Sequence, residues 1–401
     1  MAAGFLHGVE TILIDRSPRP VRQARSAVIG VIGIAPKGPV NTPTLLLSPA
    51  DAAQFGKPYA GFTLPQALEG VFASGAATVI AVNVADISLT AHKTVVATEN
   101  KTLDVAGKCR TNKPAITALV VKNQTGTTTY VLNTDYVVDT DSGEITRIAT
   151  GAIAAGATLQ LGYSYLDPTK PTTADIIGAI DGNGVRTGLK AFGNTFNLFG
   201  FDAKILIAPG YGSTNTVAAE VTSLANILDA VAYLDAPVGT TYAQAISGRG
   251  PASTINFYTA SDRVRLCYPQ VYVTDSLTGA LRLEGLSARA AGMRARIDTD
   301  KGFQWDLSNN EIPGVVSLER NLTARYDDPN SETNLLNAAG ITTVFASYGT
   351  GYRLWGTRNA SYPNATGLGT FEAVRRTQIA INESIRYSGA QFLGRPINQG
   401  L

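Results

Sequence analysis

The chain has 401 residues, more than a single hydrophobic core usually organises, so we expect two or three domains. Hydrophobic residues make up 44% of the sequence and aromatic residues 8%, which excludes intrinsic disorder. The formal net charge is only +2, so global electrostatics indicate neither a nucleic acid nor an anionic membrane as a partner. Charged residues form 16% of the chain, against about 25% in average globular proteins, which suggests that other protein covers much of the surface.

Cysteine usage and apolar patterns indicate the cellular setting. Cys109 and Cys267 form no CxxC pair, so neither a disulfide framework nor a zinc knuckle is predicted. The longest apolar stretch, residues 27–35, is far shorter than the ~18 residues that a membrane-spanning helix needs, and no signal peptide is visible. We therefore expect a protein without membrane insertion that is made and kept in the cytoplasm.

The first 25 residues predict an extended segment. Residues 9–14 carry β-propensity, and Pro18 and Pro20 prevent a helix in the arginine-rich run around them. Two interpretations stay open: a disordered tail, or an arm that adds a strand to the edge of another sheet. The pairing residues of the arm would be Val9, Thr11, Ile12, Leu13 and Ile14.

From Ser26 onward, alternating strand and helix patterns predict a mostly parallel sheet with helices on its faces. Buried strands are predicted at 26–35, 77–84 and 203–208, and a helix at 64–74 begins near a proline. Asn215 is predicted to cap a further helix, which ends before residue 235. The apolar residues of this helix recur at helical spacing: Val217, Val221, Leu224, Leu228 and Val231.

Residues 93–171 differ from the sequence around them and predict an inserted all-β module. They are rich in Thr, Val, Tyr and Gly and show almost no helical period. Strands are predicted on both sides of a turn at 141–143, and a further strand at 157–166 precedes Pro168 and Pro171. We expect this segment to form a peripheral domain on the α/β scaffold.

After Cys267 the sequence predicts an α+β domain that ends in a long helix. A helix is predicted at 286–297, a strand at 341–346 and the last helix at about 371–387. On a helical wheel one side of the last helix is apolar, with Val374, Ile381 and Ile385, and the other side is charged, with Glu372, Arg375, Arg376, Glu383 and Arg386. The charged face is either an ordinary solvated face or a contact with a charged partner.

The last eleven residues predict a second extended arm, because Pro396 prevents a helix there. Its pairing residues would be Gln391, Phe392, Leu393 and Ile397.

The sequence carries no complete catalytic or metal-binding motif. His7 and His92 form no HExxH site, and no GxSxG nucleophile turn occurs. The glycines of 181–188 match neither a dinucleotide loop nor a P-loop, and residues 139–150 depart from a calcium loop. Both cysteines are interpreted as structural. We therefore expect no enzyme activity and no cofactor.

Several segments, taken in order, resemble the contractile tail sheath proteins of bacteriophages and of R-type phage-tail-like bacteriocins. The opening FLHGVE, the polar arm and SAVIGVIGIAPKGP are similar to the sheath N-terminal region. The resemblance is strongest in the last third, in GLSARAAGMRARIDTDKGFQWDLSNNEIPGV, LLNAAGITTVF, YRLWGTRNAS and FEAVRRTQIAINESI. It covers nearly the whole chain except about 93–171.

The resemblance implies a mechanical function. Sheath subunits stack as rings around a tail tube and contract to a shorter, wider helix, which drives the tube through a cell envelope. It further implies that both arms pair with the sheets of neighbouring subunits and that the charged face of the last helix meets the tube. The implied partners are other sheath subunits, the tube, and the baseplate and tail terminator proteins, with no nucleic acid. The implied place is the virion tail sheath, assembled in the host cytoplasm.

The expected fold is α/β and α+β multidomain, a mixed α/β sheath core with an inserted all-β peripheral domain and extended terminal arms. Its parts are an N-terminal arm 1–25, a middle α/β domain 26–92 plus 172–266, the insertion 93–171, a C-terminal inner α+β domain 267–390 and a C-terminal arm 391–401. Two alternatives stay open. One is a cytoplasmic α/β enzyme or nucleotide-binding protein with a β insertion, and the other is a type VI secretion sheath component.

Overall fold

The computed structural model describes residues 25–250 and 259–390 apart from 348 and 350, together with residues 255 and 257. The strands, in chain order, are β1 Val28–Gly33, β2 Thr44–Leu46, β3 Thr78–Asn83, β4 Lys93–Thr102, β5 Lys108–Arg110, β6 Ile116–Asn123, β7 Tyr136–Asp139, β8 Glu144–Arg147, β9 Thr158–Leu166, β10 Ile205–Ile207, β11 Val231–Asp235, β12 Val264–Cys267, β13 Val271–Thr274, β14 Leu281–Glu284, β15 Val315–Leu318, β16 Ile341–Ser347 and β17 Gly351–Trp355. The α-helices are α1 Pro49–Ala52, α2 Thr63–Phe72, α3 Thr173–Ile177, α4 Thr195–Phe199, α5 Asn215–Ile227, α6 Tyr242–Ser247, α7 Leu286–Asp300, α8 Glu332–Ala338 and α9 Glu372–Ala390.

A twisted sheet of eight strands forms the centre of the described part of the chain. Its strand order is β17-β16-β12-β11-β10-β1-β3-β2, and the strands from β3 to β16 in this order run parallel. The two outer strands, β2 and β17, pair antiparallel. Strand β1 and the central four residues of β3 are apolar without interruption, as expected for strands that are covered on both faces. The predicted mostly parallel sheet is confirmed.

Helices cover both faces of this sheet and divide its core into two layers. Successive residues of β1 alternate between the layers, as strand geometry requires: Ile32 lies in the layer under α5, and Val31 lies in the layer under α2 and α7. Helices α2 and α7 cross closely, because Gly292 of α7 lies against the backbone of Val71 in α2. The last helix, α9, joins the α2–α7 layer through Ile379.

The segment between β4 and β9 forms two small sheets with a hydrophobic core of their own. The strand orders are β4-β9-β6 and β5-β8-β7, and their shared core includes Ile116, Val121, Ile145 and Leu161. The pair of strands that connects this segment to the body is β4 and β9, whose terminal residues Lys93 and Leu166 lie opposite each other. Another three-stranded sheet, β14-β13-β15, lies after the central strand β12 in sequence.

Two predictions about organisation are wrong. The helix that begins at Asn215 ends at Ile227, and Val231 belongs to the following strand, because the chain turns at Asp229 with a φ of 49°. The predicted boundary between middle and C-terminal domains, at 266/267, falls inside β12. Strands β16 and β17, placed by the sequence in a separate C-terminal domain, extend the same central sheet.

Candidate functional site

The last helix packs with its charged face inward, the reverse of the orientation that the sequence predicted. Glu372, Arg376 and Glu383, predicted as tube-facing, are all buried within the chain. The apolar residues of the opposite face are exposed: Val374, Ile381 and Ile385 are 42%, 50% and 63% accessible. In this structure the three buried residues are therefore not available to a partner. Their charges are tolerated in the interior because each has an oppositely charged neighbour from another part of the chain.

The first turn of α9 is tied to the central sheet through Glu372. One of its carboxylate oxygens accepts a hydrogen bond from the Tyr233 hydroxyl at 2.5 Å, and the other pairs with the guanidinium of Arg265. Arg265 also donates to Thr342 Oγ1 and to the Gly356 carbonyl, both at 2.9 Å. The helix start is thereby bound to β11, β12, β16 and the residue after β17.

The second turn of α9 is tied to α7 and to the start of the described chain through Arg376. Its guanidinium donates to both carboxylate oxygens of Asp298, at 2.6 and 2.5 Å, in the bidentate geometry that arginine favours. The same guanidinium donates to the Ser26 carbonyl at 2.8 Å. Asp298 also pairs with Arg294 one turn away at 2.6 Å, and Arg294 donates to the Trp305 carbonyl at 2.6 Å.

The last turns of α9 pair with residues directly before β10 and shortly after α5. Glu383 pairs with the buried Lys204 at 2.7 Å. Arg386 pairs with Asp229, which Arg263 also contacts at 2.8 Å. The side chain of Arg386 stays 65% exposed, so this pair is accessible to solvent and weak.

Arg375, the remaining predicted tube-facing residue, lies at the flank of the helix. It pairs with Asp262 at 3.0 Å, and its side chain is about a fifth exposed. Of the five predicted residues, Arg375 and Arg386 therefore reach the surface. All five lie on the side of α9 that faces the body of the protein.

The electrostatics of the buried pairs favour ionised carboxylates. Burial alone would raise the pKa of Asp298, but the adjacent Arg376 and Arg294 hold it below its ordinary value. Burial acts on the pKa of Glu372 in the same way, and Arg265 and Arg376 lower it. Asp235 is different, because burial outweighs its hydrogen bonds from Ser287 and raises its pKa to about 6.

Sequence reasoning missed the partners of the charged face. They lie far away along the chain: Arg265 and Lys204 in or beside apolar strands, and Asp298 at the end of α7. One signal was present, since a single arginine or lysine among buried strand residues needs a partner of opposite charge. The signal does not say where in the sequence that partner lies.

Both predicted arms fall on residues that the structure does not describe. Their pairing residues, Val9, Thr11, Ile12, Leu13 and Ile14 in the first arm and Gln391, Phe392, Leu393 and Ile397 in the second, therefore stay predictions. The residues at which the arms join the body are described. Arg25 places its guanidinium 4.5 Å from the centre of the Phe201 ring, and α9 runs directly into the C-terminal segment.

The described residues offer little for chemistry. Within them no group of three or more His, Cys, Asp or Glu side chains could hold a metal ion, and no helix is long and apolar enough to cross a membrane. Both cysteines are free thiols, and burial raises the pKa of each, to about 11 for Cys109. Thiols of this kind are poor nucleophiles at neutral pH.

Comparisons with known proteins agree on one family. A family profile described as the phage tail sheath protein central domain matches residues 184–360. The whole chain is 56% identical to the tail sheath protein of Burkholderia phage BcepMu and covers 84% of it. The chain belongs to the phage tail sheath protein family. It is also 29% identical to the tail sheath protein of Escherichia phage P2, over 57% of this chain and 55% of that one.

Solved structures share the fold at low sequence identity. The helical sheath of the anti-feeding prophage in its contracted state has a TM-score of 0.53 and 16% identity, over 98% of this chain and 79% of that one. The crystal structure of a sheath tail protein from Desulfitobacterium hafniense has a TM-score of 0.51 and 12% identity, over 96% and 83%. The predicted sheath identity is confirmed, and the alternative of an α/β enzyme or nucleotide-binding protein is not supported.

Proposed function

We propose that this chain polymerises as the structural subunit of a contractile tail sheath, in stacked rings around a tail tube, and drives the tube through a cell envelope when the sheath contracts. The observation that carries this proposal is the 56% identity to a phage tail sheath protein over the full chain. The subunit acts mechanically, without catalysis or a cofactor. Its partners are other copies of itself, the tube, and the baseplate and terminator proteins, in a virion tail assembled in the host cytoplasm.

The two terminal segments, 1–25 and 391–401, serve in this proposal as arms that add strands to neighbouring subunits. They are rich enough in β-forming residues to pair and too short to fold alone. Among the described residues, β14 and β15 are edge strands of a small sheet, with Leu281 and Val316 exposed on them. Such edges are suitable acceptors for an added strand, because their outer backbone groups have no strand partner within the described chain.

Deletion of either arm tests the exchange directly. Removing Met1 to Pro20, or Gly394 to Leu401, leaves every described strand and helix in place. We expect circular dichroism and melting temperature close to those of the parent chain, and no ordered polymers in negative-stain micrographs. A truncated chain that still forms regular tubes would contradict arm exchange, and a chain that unfolds would place the arms within their own subunit.

The outward face of α9 is the surface that we propose for contact with the tube. It differs from the predicted charged face, because only Arg386 and the flank of Arg375 add charge to it. The exposed residues along its centre are apolar or uncharged: Val374, Gln378, Ile381, Asn382 and Ile385. We call these five residues the α9 ridge. A contact through the ridge would depend on apolar burial and not on ion pairs.

The segment 93–171 acts in this proposal as a peripheral domain. Its own core supports this role, as does the pairing of Lys93 with Leu166 at its base. Residues directly opposite in an antiparallel pair lie about 5 Å apart, which a short Gly-Ser link spans.

Excision of residues 94–165 with such a link tests the peripheral role. The cut removes Ala115 from the body core and the surface pair Lys37–Asp141, so we expect a modest loss of stability. The shortened chain should stay soluble and form polymers. An insoluble product would show that the two small sheets are needed by the body.

A further inference from the structure

We propose that Arg376 is a positioning residue. It fixes, relative to each other, the two points at which the terminal segments leave the body of the subunit, and thereby permits ordered assembly. The proposal rests on the proposed function, because it assigns a reason why both arms must leave the subunit in a defined geometry. It concerns one buried guanidinium on α9 that contacts two other parts of the chain: Ser26, directly after the N-terminal segment, and Asp298 of α7.

The contacts of Arg376 place it at the junction of these parts. The residue itself lies on α9, which leads into the C-terminal segment. Its guanidinium donates to the carbonyl of Ser26, the first residue after the N-terminal segment. Two further hydrogen bonds go to Asp298 near the end of α7, which packs against the central sheet. The start of the chain, its last helix and the body are joined at one side chain.

The geometry of this junction defines where each arm leaves. From Arg376 to Ala390 the helix rises 1.5 Å per residue, so the C-terminal segment begins about 21 Å along the axis from the contact with Ser26. Next to Ser26, the stacking of Arg25 on Phe201 extends the N-terminal attachment. A pull on either arm is transmitted through these contacts to α7 and the sheet. Both arms therefore keep fixed positions of departure while subunits rotate.

A stabilising role alone would not explain the choice of arginine. Well-packed apolar residues in place of a buried ion pair are often equally stable, whereas a bidentate pair accepts only one relative orientation of its elements. The contact to Ser26 goes to a backbone carbonyl, so it fixes the path of the main chain. Lysine at this position would keep the charge and could reach Asp298, but it could not bond both carboxylate oxygens and the Ser26 carbonyl in the same planar array.

The test uses Arg376→Lys and Arg376→Gln in the full-length chain, with two controls that make the same changes elsewhere. Arg386→Gln lies on the same helix and leaves Ser26 untouched. Arg289→Lys disturbs another buried pair, with Glu284, that touches neither terminal segment. After the Arg376 substitutions Asp298 keeps Arg294 as a partner, so these variants are expected to fold.

Two measurements separate positioning from stability. The first is polymer formation at a fixed interval below the melting temperature of each variant. We expect Arg376→Lys and Arg376→Gln to form few ordered tubes, while Arg289→Lys and Arg386→Gln form them like the parent. The second is tryptic cleavage of the unassembled chain at Arg25, which adjoins the Ser26 contact. We expect it to be about tenfold faster in the Arg376 variants only, as the loss of a charge-assisted hydrogen bond predicts.

The outcomes distinguish this proposal from the proposed function. If the parent chain forms no tubes but cleavage at Arg25 rises only in the Arg376 variants, the proposed assembly of this chain fails and the positioning role stands for the unassembled subunit. If cleavage is unchanged, or if Arg289→Lys loses tubes to the same extent at matched stability, Arg376 is only one structural pair among several and the proposal is overturned. Normal tubes from Arg376→Gln would overturn it as well.

Discussion

Replacement of Gly292 by alanine is expected to destabilise the fold through the close crossing of α2 and α7. A methyl group at this position would lie 2.9 Å from both the Cα and the carbonyl carbon of Val71, and closer still to its oxygen. Carbon atoms in contact need about 3.5–4.0 Å, so the two helices would have to separate by roughly 1 Å. Overpacking of this kind typically costs about 1–3 kcal/mol, and we expect the upper part of that range because backbone atoms cannot rotate away.

The matched control is Gly389→Ala in α9. Among the described residues, no heavy atom beyond the neighbouring residues and the helix backbone lies within 4 Å of the added methyl group, so the substitution removes a poor helix former without a clash. We expect a gain in stability of at most about 1 kcal/mol, and less because Gly389 is near the helix end. Urea unfolding followed by circular dichroism, at concentrations too low for polymers, measures both variants. If Gly292→Ala were as stable as the parent chain, the close approach of α2 and α7 would be refuted.

The remaining predictions concern a buried carboxyl group and a half-buried guanidinium. Burial raises the pKa of Asp235 to about 6 in the folded chain, from 3.8, so the folded state binds this proton more tightly and stability falls as the pH rises from about 4 to 6. This fall in the free energy of unfolding is about 3 kcal/mol in full, and Asp235→Asn should remove it. An unchanged pH profile of urea unfolding would contradict the raised pKa of Asp235. Arg249 donates to the carbonyls of Thr259, Ala339, Ala360 and Tyr362. Arg249→Met should lower the free energy of unfolding by about 2–4 kcal/mol in the same assay, because four partly buried carbonyl oxygens lose their donor, and a loss below 1 kcal/mol would show that water replaces it.

The elements of the central sheet could be predicted because their signals are local. The run from Val28 to Gly33 is apolar without interruption and long enough for a buried strand, and Pro65 marks the first turn of α2. Helix ends were less certain. The predicted continuation to Val231 was wrong because the helix ends before Asp229, which has a left-handed backbone conformation. Aspartate adopts this conformation more often than most residues but still uncommonly, so its presence gives no clear signal of a helix end.

The division into domains could be predicted only where composition changes. The segment 93–171 differs in composition from the body and forms two sheets of its own. The boundary after residue 266 had no such signal, and the pairing of β12 with β16 joins residues 75 positions apart. Strand order in a sheet is set by long-range packing, which periodicity does not report.

The orientation of α9 shows that sequence periodicity distinguishes two faces of a helix but does not say which face is buried. A pattern of apolar and charged residues shows that two faces differ, and the usual assumption places the apolar face inward. Here Arg265, Asp298 and Lys204 supply opposite charges in the interior, so the usual assumption fails. The apolar side is then left at the surface, where an isolated subunit gains nothing from it. A helix of this kind is expected in a protein that buries the exposed side against a partner.

Substitution of the apolar part of the α9 ridge tests this expectation. Val374, Ile381 and Ile385 are about half exposed in the subunit. Changing all three to glutamine should lower the free energy of unfolding by at most about 0.5 kcal/mol per site and leave the melting temperature nearly unchanged. Growth of sheath on purified tubes should be lost. Apolar contacts are not screened by salt, so the parent chain should cover tubes equally well at low and high salt, and Arg386→Gln should have little effect. If the triple variant covers tubes like the parent, or if salt strips the parent sheath, then the contact is made by other residues and α9 faces a different partner.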